Sequence, residues 1–107
     1  MPDISKHPIV IRDLIELATA LAKDNQSAAE RFLIIAEETF KLLDRLPGIG
    51  QLIELADPRF ADVRQYPMQG FKGYIILYRT TDLGIEILRV LHDNFVRAMS
   101  IDESVGR

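Results

Sequence analysis

The sequence predicts an α+β domain: an N-terminal helical hairpin packed on a three- to four-stranded antiparallel sheet, in the manner of a two-layer fold. Three observations carry this. Apolar residues recur at helical spacing as far as Leu46. The run Pro47-Gly48-Ile49-Gly50 then stops that pattern, because proline cannot continue a helix and glycine tolerates the turn that follows. Beyond it, short β-rich runs separated by turn residues fill about residues 61–92. A chain of 107 residues holds one such arrangement, so 1–107 is read as a single domain with the hairpin at about 8–46, the sheet at about 61–92 and a tail at 93–107.

The first helix is read from Pro8 to Asp24, with Ile11, Leu14, Ile15, Ala18, Leu21 and Ala22 on its apolar stripe. Pro8 suits a first-turn position, where its missing N–H costs nothing. Asp24-Asn25-Gln26-Ser27 breaks the pattern, and Ser27 with Glu30 three residues later makes a capping box. The second helix then runs from about Ala28 to Leu46, burying Ala29, Phe32, Ala36, Phe40, Leu43 and Leu46. Helices joined by so short a break pack antiparallel.

Ala56-Asp57-Pro58-Arg59 reads as a loop. Val63–Met68 is the first strand of the meander, with Pro67 marking an edge or an irregularity. Gln69–Gly73 supplies a turn, Tyr74–Arg79 a strong strand, Thr81–Gly84 a hairpin loop and Ile85–His92 a second strong strand. The last two are apolar on both faces, which places them at the sheet centre. Asp3–Lys6 adds a short edge strand. The hairpin covers one sheet face, and the other is expected to stay partly uncovered although it carries large apolar residues, the pattern of a surface left for a partner.

Composition removes several function classes. There is no cysteine, which excludes disulfide scaffolds, thiolate zinc sites and thiol nucleophiles. Only two histidines occur, His7 and His92, at opposite ends of the chain, so neither a metal nor another cofactor is expected. Gly48-Ile49-Gly50 follows a helix rather than a strand and makes no phosphate loop. The longest apolar run is five residues, too short for a membrane span, and the first residues lack a secretory pattern, so a cytoplasmic protein is expected. The net charge of −3 argues against nucleic-acid binding through the overall field. That charge lies in residues 1–60, with seven basic against ten acidic residues; residues 61–107 hold six of each.

Within the sheet, Arg64, Arg79 and Arg89 are either paired with carboxylates such as Glu86 or Asp62, or held for a phosphate or carboxylate of a partner. His92, beside Asp93, is either a strand-end residue bonded to that acid or a group titrating near neutrality. Period-two alternation puts His92 with Glu86, Leu88 and Val90, opposite Arg89, so the two do not form one cluster. Tyr66, Tyr74 and Tyr78 read as core or interface aromatics.

Several runs carry a resemblance: Asp13-Leu14, Ala28-Ala29-Glu30-Arg31-Phe32-Leu33, Leu46-Pro47-Gly48-Ile49-Gly50, Val63-Arg64-Gln65-Tyr66-Pro67, Tyr74–Arg79 and, most specific of all, Gly84–His92. Over about Pro8 to His92 they resemble the ParE branch of the RelE/ParE toxin superfamily of bacterial type II toxin–antitoxin modules. The resemblance implies the same fold and a cognate antitoxin whose C-terminal segment wraps the toxin. It implies DNA gyrase as the target in the ParE branch, and ribosome-bound mRNA, cut without a metal, in the RelE branch.

Ribonuclease members place an arginine directly after the tyrosine that matches Tyr74, where this chain has Ile75, and another after the last strand, where it has Asp93-Asn94-Phe95. The expected activity is therefore binding and inhibition of a target, with Arg64, Tyr66, Arg79, Arg89 and His92 as partner contacts. The alternatives are an endoribonuclease using Arg64, Lys72, Arg89 and His92, or a degenerate toxin that binds only its antitoxin. A homodimer is expected when the antitoxin is absent.

Overall fold

The computed structural model describes residues 3–54 and 57–93. The expected tail beyond Asp93, with Asn94 and Phe95 of the resemblance, lies outside the described residues, as does Ala56 of the expected loop. Strand β1 (Asp3–Lys6) opens the fold, followed by helices α1 (Pro8–Ala22) and α2 (Gln26–Arg45). Then come a 3₁₀ turn at Pro47–Ile49, the two-residue strand β2 (Gln51–Leu52) and a second 3₁₀ turn at Pro58–Phe60. Strands β3 (Arg64–Pro67), β4 (Tyr74–Thr81) and β5 (Gly84–His92) complete it.

The five strands form one sheet in the order β1-β5-β4-β3-β2. The expected two layers are present, but the sheet is larger than read from sequence and mixed rather than wholly antiparallel. β1 pairs parallel with β5, while β2 through β5 make an antiparallel meander. β1 lies at the expected edge, and β4 and β5 are central, as their two-sided apolar pattern requires. β2 was not foreseen, because two paired residues leave no periodicity to read. Pro67 stands at the end of β3 opposite Ile75, where β2 no longer runs alongside and no donor is missed.

Three local expectations need correction. α2 starts at Gln26 with Asn25 as its N-cap, the Asn25 side chain accepting from the Ala28 N–H at 3.1 Å. Asn is as good a cap as Ser, and Ser27 falls inside the first turn. Leu46 lies past the helix and is 52% exposed, so the buried stripe ends at Leu43. On α1, Ile11 and Ile15 are 50% and 60% exposed, while Val10, Asp13, Leu14 and Ala18 are buried. The helix is turned so that a carboxylate faces inward where an isoleucine was expected.

The main core lies between hairpin and sheet, around Phe32, Phe40, Tyr78, Ile76, Ile85 and Ile87, all with no exposed surface. Phe32 meets Phe71 and Tyr74 edge-on, with ring centroids 5.3 and 5.2 Å apart, an arrangement that adds to area burial. A second cluster of Val63, Leu77 and Leu91 lies on the outer sheet face, with Ile53, Ile75 and Leu88 packed against it. Among the described residues the outer face is covered only in part, as expected: Val63, Leu77 and Leu91 are buried, while Ile53, Ile75 and Leu88 keep partial exposure. Large exposed apolar side chains sit on the hairpin, at Ile11, Ile15, Leu33 and Ile34, at Leu46, Ile49 and Leu52, and at Phe60 and Leu83.

A β-bulge decides where Arg89 goes. Leu77 pairs with Arg89 but Tyr78 with Ile87, so Leu88 is an extra residue. Straight alternation from Ile85 and Ile87 would aim Arg89 into the main core. The bulge instead gives Val90 the core position and sends Leu88 to the outer cluster, which corrects the expected grouping of Leu88 with Val90. β1 pairs no further than Lys6 opposite Ile87, so Arg89 lies beside an open stretch of β5. There Asp13 of α1 accepts from Arg89 Nε at 2.8 Å, from Arg89 Nη2 at 2.9 Å and from the Val90 N–H at 3.0 Å.

Asp13→Ala leaves the Val90 amide and a partly buried guanidinium without this acceptor. It should cost about 2–3 kcal/mol, less than a fully buried pair because Arg89 keeps some solvent contact. Asp13→Asn, which keeps one acceptor oxygen, should cost distinctly less. Urea denaturation of both variants checks this order.

Candidate functional site

The sequence-predicted site residues fall into separate environments. Arg64, on β3, turns toward the loop before β2: its Nη1 donates to the Gly50 carbonyl at 2.7 Å and to that of Gly48 at 3.4 Å. The same loop is held from below by Tyr78, whose hydroxyl donates to the Pro47 carbonyl at 2.7 Å and accepts from the Gly50 N–H at 2.9 Å. Backbone and phenol approach so closely that a Cβ at Gly50 would lie 2.6 Å from Tyr78 Cε1. Gly50 has an ordinary extended conformation (φ −71°), so space rather than dihedral freedom requires glycine here. Burial pushes the Tyr78 phenol above its ordinary pKa, outweighing the Gly50 N–H and the nearby Arg64 charge, which act the other way.

Arg89 is committed to Asp13, and that hydrogen bonding raises its pKa further. His92 closes β5 with Nδ1 3.4 Å from an Asp93 carboxylate oxygen, its ring edge-on to Tyr74 at 5.3 Å. Gly73, at φ +91°, lets the chain pass the imidazole: a Cβ there would sit 3.1 Å from His92 Nε2. Lys72 is exposed in the turn before β4. Arg79 lies under the second 3₁₀ turn, with Nη2 3.6 Å from Asp62 and 3.4 Å from the Arg59 carbonyl. Tyr66 is half-buried and packs against the main core.

Of the expected carboxylate partners, Asp62 stands beside Arg79, whereas the partner of Arg89 is Asp13, which sequence reasoning missed. The signal available was an acid among the apolar positions of an amphipathic helix. The structure brings Arg89 and His92 to one cleft of about 240 Å³, with Asp13, Glu16 and Leu17 of α1 on its other wall. Both line this cleft although regular alternation after the bulge keeps them on opposite faces of β5, as read from the sequence. Arg64 does not join them; it lies on the other side of β4, bound to the loop.

A larger cleft, about 570 Å³, lies along β1 and the β4–β5 turn, lined by Ile4, Thr81, Leu83 and Glu86 among others and away from every predicted residue. A third, of about 380 Å³, lies where β2 stops, between Ile49, Gln51, Gln65, Tyr66, Pro67 and Ile75. Among the described residues no helix is long and apolar enough to cross a membrane.

A two-helix hairpin on a mixed five-stranded sheet, entered by a parallel edge strand, defines a two-layer α+β domain of the RelE/ParE type. The family model described as the ParE toxin of the type II toxin–antitoxin system, parDE, matches residues 4–95, and the chain belongs to that family. Membership makes the chain a toxin of a type II module and implies an antitoxin partner. Among curated proteins none matches this chain.

The raised pKa of Tyr78 gives a pH signature. Above about pH 10 the unfolded chain loses the phenolic proton while the folded chain keeps it, so the stability that Tyr78 contributes is present below that pH and fades above it. The stability gap between wild type and Tyr78→Phe should therefore narrow from pH 9 to pH 11 in urea titrations; a constant gap would contradict it.

Proposed function

We propose that this chain is a ParE-like toxin of the cytoplasm that acts by binding and inhibiting a cellular target, DNA gyrase, and is neutralised by a cognate antitoxin. What supports binding over catalysis is the dispersal of the cations. RNA cleavage needs a base, an acid and charge stabilisation at one phosphate. Arg64 is spent on loop carbonyls, Arg89 on a buried carboxylate, and Lys72 stands in an exposed turn. Tyr66, Arg79 and His92, each partly exposed, remain the proposed direct contacts of the set, with Arg64 acting through the loop carbonyls it holds and Arg89 through its pairing with Asp13.

The antitoxin is assigned to the exposed apolar side chains of the hairpin. Ile11 and Ile15 are four residues apart on one face of α1, and Leu33 and Ile34 add to the surface from α2. The expected homodimer follows from the same surface. Without antitoxin, light scattering at high concentration should give a mass above the 12.2 kDa of one chain; a clean monomer would count against it.

One observation favours the RelE-like reading: Arg89 and His92 share a cleft. Purified wild-type chain should inhibit gyrase supercoiling and leave ribosome-bound mRNA intact. Translation-dependent cleavage that His92→Ala abolishes would replace this reading with the endonuclease one, and silence in both assays would leave a toxin that binds only its antitoxin.

A further inference from the structure

We draw no further inference here: the strongest candidate, the cleft of about 570 Å³ along β1 and the β4–β5 turn with the carboxylates of Asp82 and Glu86 on its wall, is an acidic pair beside apolar side chains, and nothing in the structure shows what covers it.

Discussion

The carboxylate of Asp13 joins the two layers of this domain. β1 can pair with only part of β5 before the chain turns into α1, with His7 alone between them; the His7 N–H donating to the Ile87 carbonyl is the last rung of that ladder. Beyond it β5 has an open edge in the middle of the core region, where an unmatched amide is costly. Asp13 supplies the missing acceptor to Val90 from the helix and binds Arg89 with both oxygens. One side chain thereby ends the parallel pairing, sets the rotation of α1 and fixes a guanidinium that the β5 bulge has turned out of the core. The outward position of Ile11 and Ile15 follows from that rotation.

The same economy recurs on the other side of the sheet. Arg64 and Tyr78 hold a glycine-containing loop that has no regular partner of its own, as Asp13 holds an edge that β1 does not reach. In both places polar side chains satisfy backbone left over by short strands, and an arginine that sequence reasoning offers as a contact or catalyst has its partner inside the domain. A sheet with strands of two and four residues at its edges needs such groups. The surface that remains for partners is then chiefly apolar: the hairpin on one layer and the Leu46–Leu52 loop at the far edge.

Much of the architecture was legible because it is periodic. The two helices, the central strands β4 and β5, the β1 edge and the turn around Gly70 and Gly73 all follow from spacing and turn chemistry. What was not legible is aperiodic or long-range. β2 is too short to show a pattern. The bulge at Leu88 has no local marker, since Ile85–Leu91 is apolar in either phase apart from Glu86 and Arg89, and it takes Glu86 and Leu88 away from the face that His92 shares with Val90. The Asp13–Arg89 pair joins positions 76 residues apart. The role of Arg64 depends on a loop brought back over β3. For the predicted site residues, the sequence could not tell which had internal partners.

The most direct test of the claim that Asp13 and Arg89 act as one structural unit is a double-mutant cycle in urea with Asp13→Ala, Arg89→Ala and the pair. Coupling of about 1–2 kcal/mol is predicted, the range for groups sharing one hydrogen-bonded network. Additive losses within about 0.3 kcal/mol, as independent sites give, would contradict it.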